Sequence, residues 1–213
     1  MPPSPKDKWV TCHYTSRQCD PVNTLVAVVV ENSSKARPQS GLVDADVVYE
    51  ALAEGGITRF LGLYHCGTPK VIGPVRSVRP YFATIAREWG AAIAHCGGDP
   101  KDIEPIRELG LVDVDELRDG RGFWRDGSRQ MPHNLYVGAN NVRARAREIA
   151  GASSPKAVAA APWEWREWAE EPAKGVDIKY GPQYTVSYDL VSGGYQRSMN
   201  GVVHRDRETG RAI

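Results

Sequence analysis

The sequence predicts an α+β protein: a layered sheet-and-helix N-terminal domain followed by the beginning of a β-rich domain. Three observations carry this. Residues 24–32, TLVAVVVEN, form an apolar run with three consecutive valines, which suits a strand buried on both faces. In residues 81–90, YFATIAREWG, Phe82, Ile85, Ala86 and Trp89 fall at i, i+3, i+4 and i+7, one face of a helix. From residue 176 the stretches VDIKYGPQYTVSYDL and GYQRSMNGVVHRD alternate as strands do, and Asn200-Gly201 is the strongest short hairpin signal available.

The elements follow in order. Residues 1–22 read as a disordered leader, with prolines and charges and few aliphatics. SSKARPQSG (33–41) is a Ser/Pro/Gly loop. ADVVYEALAE (45–54) is open between strand and helix: Val47, Val48 and Tyr49 favour strand, and its tail favours helix. Gly55-Gly56 signals a tight turn that would pair it with a strand in ITRFLGLYHC (57–66) as a hairpin. Pro80 opens the next helix and Gly90 stops it. AAIAHCGG (91–98) is a short buried strand. In DPKDIEPIRELG (99–110), Pro105 predicts two short turns, or a short helix from Pro105 to Leu109, rather than one continuous helix.

RDGRGFWRDGSRQMPHNLYVG (118–138) has no period and reads as a long loop, with Phe123, Trp124 and Tyr136 arguing against disorder. NNVRARAREIAG (140–151) is a helix with an Asn cap, Arg143, Arg145 and Arg147 on its surface, and Gly151 as stop. Residues 23–160 thus make the N-terminal domain, with a linker in ASSPKAVAAAP (152–162). Residues 161–213 begin a separate β-rich unit that stops in mid-meander, so its sheet is incomplete.

The net charge of +1 supplies no global field for nucleic acid or an acidic membrane surface, so anion binding must come from local clustering. No run of 18 apolar residues exists to span a membrane, and no apolar stretch of a signal peptide opens the chain, which taken alone reads as cytoplasmic. The four cysteines form no CxxC pair, which argues against a zinc knuckle. Cys66 and Cys96 each end a predicted strand; neighbouring strands would let them bridge, and two buried free thiols are the default expectation.

Chemistry concentrates in GPVRSVRPYF (73–82), where Arg76 and Arg79 flank Ser77 just before a helix. A helix N-terminus leaves backbone N–H groups unpaired, and guanidiniums beside it add fixed positive charge, so the stretch reads as an anion site. WRDGSR adds Arg125 and Arg129, and His95, His133 and Asn134 complete the ligand-binding set. Glu50 and Glu54 are supporting acids, which in the alternative reading neutralise the arginines in a buried network. Two further functions fit the residues. A hydrolase would use Ser77 with His95 or His133 and a glutamate, although no GxSxG elbow is present. A single-stranded nucleic-acid surface would use residues 121–147, where six arginines and one aspartate interleave with Phe123, Trp124 and Tyr136. No metal or cofactor is expected: His65, His95 and His133 lack HExxH spacing, and HCGGD lacks the Walker lysine.

The series KARPQSGL, ADVVYE, EGGITRFL, GPVRSVRPYF, HCGGD, FWRDGSR and PHNLY resembles the YerB-like family of bacterial lipoproteins. It runs in order from about residue 25 to residue 150, and more loosely through YDL and YQRSMNGVVHRD to the end. The resemblance implies an N-terminal α+β domain, a C-terminal β-rich domain of which only the opening is present, and a location in the cell envelope. The family brings no settled biochemical activity, so no residue inherits a catalytic role. The combined expectation is an envelope-associated binding module whose Arg-rich site takes an anionic small molecule, a cell-wall fragment or a protein partner rather than nucleic acid.

Overall fold

The computed structural model describes residues 10–11, 18–19, 23–151, 171–181, 184–192 and 194–213. The linker expected at 152–162 lies outside the described residues. Within the leader, β1 (Val10–Thr11) and β2 (Gln18–Cys19) pair antiparallel. The main sheet uses β3 (Val26–Glu31), β4 (Val47–Leu52), β5 (Thr58–Tyr64), β6 (Ala92–His95) and β7 (Asp113–Asp115) in the order β4-β5-β3-β6-β7. β3, β6 and β7 are parallel, whereas β5 runs antiparallel to both β3 and β4.

The apolar run places β3 at the centre, where every one of its residues is buried. Period-two alternation then sends its side chains to two cores. Val26, Val28 and Val30 pack under α3 (Ala139–Ala150) and the ribbon of β8 (Phe123–Arg125) and β9 (Leu135–Val137). Ala27 and Val29 face α1 (Pro80–Glu88) and α2 (Pro100–Glu108) through Phe82, Ala86 and Ile106. The fold is therefore a sheet with helices on both faces, followed by a β-rich part: mixed α+β, as the sequence predicts. No helix of the described residues is long and apolar enough to cross a membrane.

Pro80 occupies the first position of α1, with Phe82 and Ala86 fully buried and Trp89 nearly so. α2 departs from expectation, because it is one helix with Pro105 inside it. The proline removes one backbone donor, but Asp99 caps Lys101 N at 3.2 Å and Ile103, Ile106 and Leu109 pack on the core. Tertiary packing outweighs the local penalty. The stretch 118–138 holds the β8–β9 ribbon, whose three-residue strands are too short to show a period.

α3 begins earlier than expected, capped by Gly138 rather than an asparagine. Arg143 and Arg145 are buried, not on its surface. Ala139, Val142, Arg143 and Ala146 follow the i, i+3, i+4, i+7 stripe, so Arg143 occupies a core-facing position. Its guanidinium donates to the carbonyls of Thr24, Tyr64, His65 and Gly67, and burial pulls its pKa down to about 10. Cys96 is a free thiol, and Cys66 is disulfide-bonded to a residue other than Cys96.

The C-terminal sheet is an antiparallel meander of β10 (Gly175–Lys179), β11 (Thr185–Val191), β12 (Gly194–Met199) and β13 (Val202–Val203). Asn200 (φ 48°) and Gly201 (φ 77°) close its last hairpin in the left-handed region that a type I′ turn requires. Buried polar bonds cross the boundary the sequence places near residue 161. Arg197 NH2 donates to both oxygens of Glu50 at 2.9 and 2.8 Å, and its NH1 lies 2.6 Å from His204 Nδ1. A guanidinium only donates, so Nδ1 accepts and Nε2 carries the proton, which it gives to Gln39 Oε1 at 2.6 Å. Gln39 Nε2 in turn donates to the Glu31 carbonyl and to Asn32 Oδ1. Asp206 accepts from Gly41 N at 2.6 Å.

Replacing Arg197 with Gln strands the buried Glu50 carboxylate, and chemical denaturation should show a loss of about 3–5 kcal/mol. His204 adds a pH dependence. Burial first, then the neighbouring Arg197 and Arg37 charges, push its pKa down to about 3. The folded state therefore holds the ring neutral while the unfolded chain protonates near pH 6.5. This contribution is complete above about pH 6.5 and falls by about 1.4 kcal/mol per unit toward pH 3. Urea titrations at stepped pH should show that slope, and His204→Gln should flatten it.

Candidate functional site

Because β3, β6 and β7 are parallel, their C-terminal ends lie along one edge of the sheet, the edge where open α/β sheets place ligands. Glu31, Cys96 and Glu116 stand at or just past these ends. Arg76 is wedged between β3 and β6 by its own backbone. Its N–H donates to Val29 O at 3.0 Å, and its carbonyl accepts from Cys96 N at 3.1 Å.

Glu31 is the hub. Its buried carboxylate accepts from Ser33 Oγ at 2.8 Å and lies 2.9 Å, through each oxygen, from His133 Nδ1. Arg76 approaches it most closely through Nε, at 3.4 Å. Two consequences follow from what each group can donate. A carboxylate fixes the proton on Nδ1 of His133, leaving Nε2 on the far edge of the ring. Both terminal nitrogens of Arg76 are without an acceptor among the described residues, on a side chain that is 27% exposed. The structure thus brings Arg76 and His133 together on one acid that the motif reading passed over.

The other expected site residues land differently. Arg79 is the N-cap residue of α1; its guanidinium meets Glu54 and, at 3.2 Å, the buried Asp102 of α2. Glu54 also takes Arg59, whose second nitrogen donates to the Ser77 carbonyl at 2.8 Å. Arg125 spends its fork on Asn134 Oδ1 at 3.1 Å and Glu116 at 3.3 Å. Arg129 clamps the 34–38 turn by donating to the carbonyls of Ala36 and Pro38 at 2.6 and 2.7 Å. Glu50 sits in the joint with Arg197. His95 is fully buried between Asp113 at 2.8 Å and the Gly97 carbonyl at 2.9 Å.

Among the described residues no hydrogen bond joins Ser77 to His95 or His133, the pairing a hydrolase would need. In the 121–147 stretch, Trp124 stacks on the buried Tyr136 at 6.3 Å, and Arg145 pairs with Asp119. The Cys96 thiol donates to Glu116 at 3.2 Å, and burial with that carboxylate pushes its pKa up to about 11, which keeps it protonated. Among the described residues no three of His, Cys, Asp and Glu gather as a metal set would.

Chemically, the fork of Arg76 is a donor pair suited to one oxyanion, and the outer Nε2 of His133 accepts from a ligand hydroxyl while the ring is neutral and donates to the oxyanion only when both ring nitrogens are protonated; the buried Glu31 carboxylate orients both side chains. Glu31 carries a sequence signal in hindsight: it is the charge that ends an otherwise apolar strand, VAVVVE.

Comparison with known proteins agrees with this architecture. "Putative lipoprotein YerB" of Bacillus subtilis (strain 168) is 38% identical over 198 residues, which cover 88% of this chain and 59% of that protein. The chain therefore spans about three fifths of that relative's length. The crystal structure of the Bacillus subtilis YerB protein superposes with a TM-score of 0.83 at 33% identity, covering 96% of this chain and 71% of the solved one. Residues 14–152 match the N-terminal domain of the protein family of unknown function DUF3048, and the chain belongs to that family.

Proposed function

We propose that this chain is an envelope-associated, extracytoplasmic binding module that takes the anionic group of a small ligand or partner between Arg76 and His133. The observation that carries the reading is the unoccupied fork of Arg76 beside a histidine whose inner nitrogen Glu31 already holds. Charge-assisted hydrogen bonds of that kind contribute about 1.5–3 kcal/mol each. The envelope location is supported by the lipoprotein name of the relative and by the disulfide at Cys66, a bond that persists in oxidising compartments.

Two substitutions separate ligand capture from structural support. Arg76→Gln removes a partly exposed cation held to Glu31 at 3.4 Å. The free protein should lose no more than about 1 kcal/mol. Thermal stabilisation by inorganic phosphate or citrate should disappear. Arg79→Gln leaves the buried Asp102 without its cation and should cost about 3 kcal/mol with no ligand present. If Arg76→Gln keeps the full ligand-induced shift, or destabilises the free protein as severely as Arg79→Gln, the anion site at Arg76 is wrong.

A further inference from the structure

A second cation escapes neutralisation on the other side of Ser33. Arg37 follows the short helical turn Ser34–Ala36 and is half-buried. All its hydrogen-bond partners are neutral: Nε donates to Asn32 Oδ1 at 3.2 Å, and NH2 donates to the Asn32 carbonyl at 2.8 Å and to Tyr184 Oη at 2.6 Å. Its NH1 has no partner among the described residues. The guanidinium lies over the Tyr184 ring, 5.1 Å from the centroid, so its plane is fixed from behind. Burial lowers its pKa, as expected of a cation held out of water without a counter-charge. Glu50, which acts on it electrostatically, is already bound through both oxygens by Arg197.

Arg37 lines a cleft of about 500 Å³ together with Ser33, Ser34, Gly55, Gly56 and Tyr184. The tip of the β4–β5 hairpin also lines the cleft, where Gly55 (φ 61°) and Gly56 (φ 73°) present bare backbone. A Cβ at either would meet nothing within 4 Å. Neither glycine's N–H has a backbone acceptor among the described residues. The cleft therefore offers a half-buried cation with the Ser34 hydroxyl on the same turn, and glycine amides without a backbone acceptor at the hairpin tip. Asn32 adds nothing to a ligand, because its amide is used by Thr58, Glu50 and Tyr184, and its oxygen by Arg37 and Gln39.

We infer that this cleft is a second binding site, for a compact hydroxyl-bearing molecule with one carboxylate or phosphate, in which NH1 of Arg37 takes the anionic group. Sugar acids and sugar phosphates both have that chemistry. A neutral sugar would leave the cation unmatched, and a bare anion would leave the amide wall unused. The site is independent of Arg76, so either can fail without the other.

Calorimetric titration of the full chain carrying Arg76→Gln, so that the first anion site adds no heat, with glucuronate, glucose 6-phosphate, glucose and inorganic phosphate tests it. Glucuronate or glucose 6-phosphate should bind at millimolar concentration, with glucose and phosphate at least about tenfold weaker; which anion wins identifies the carboxylate or the phosphate source. Arg37→Gln should lower the affinity about tenfold or more. Ser34→Trp, which fills the cleft from an exposed position and leaves the Arg37 bonds untouched, should abolish binding with the melting temperature of the free protein unchanged. In that background, absence of binding by both sugar anions, equal binding of glucose, or unchanged affinity on adding Ser34→Trp would each overturn the inference.

Discussion

The buried contact of Glu50 with Arg197 is the constraint from which both candidate sites take their shape. Removing two charges from water costs several kcal/mol per ion, so the pair persists only where further hydrogen bonds complete it. Glu50 also accepts from Thr58 Oγ1 at 2.6 Å and Asn32 Nδ2 at 3.2 Å, and Arg197 passes its second nitrogen to His204. From there the bonds run through Gln39 to the backbone of Glu31 and the side chain of Asn32, closing a ring on Glu50. Asn32 then positions Arg37 and Tyr184, while Glu31 positions Arg76 and His133. Arg197 Nε is buried without a hydrogen-bond partner among the described residues, so the joint already carries one unmet donor, and removing either charge would strand several more buried polar groups. The β-rich part is thus tied to both sites: Tyr184 is a wall of the cleft, and Arg197 and His204 hold the residues behind it.

Periodicity made part of this fold legible. A run apolar at every position belongs in the middle of a sheet covered on both faces, and β3 is there. A clean 3.6-residue stripe behind a proline gives α1 with its boundaries. Signals fail where a tertiary contact reverses a local preference. Pro105 reads as a break, but two isoleucines and a capped start hold the helix across it. Arg143 reads as surface by type and as core by position, and position wins because backbone carbonyls of four residues await it. The β8 and β9 strands are three residues each, shorter than any window in which alternation can be counted.

The site was legible as a set of residue types and illegible as a geometry. Arg76, Arg79, Arg125 and Arg129 are equivalent in a sequence, since each is a cation near glycine or proline. Their fates are set by partners far along the chain: Glu31 for Arg76, Asp102 for Arg79, Glu116 for Arg125, and the carbonyls of Ala36 and Pro38 for Arg129. Arg37 and Tyr184 lie 147 positions apart and form one surface, which no local window registers.

Why arginines gather at the electropositive end of α1 has an answer in that division. Arg79 stands at the N-cap, where its own charge opposes the helix dipole, and it is held there by the Glu54 side chain and by Asp102 in the first turn of α2. A negative charge in that first turn is favoured by the dipole of α2, so one carboxylate stabilises two helix ends. Arg79 is a pin between the hairpin tip and both helices. Arg76, three residues earlier and outside the helix, is spared that duty. With 27 basic and 26 acidic residues the chain generates no net field to draw an anion in. Recognition then rests on local mismatches, positions where a rigidly held guanidinium has more donors than the protein has acceptors. Arg76 and Arg37 are two such positions, and each is immobilised by a group that cannot neutralise it fully: a carboxylate shared with His133 and Ser33 in one case, an aromatic ring in the other.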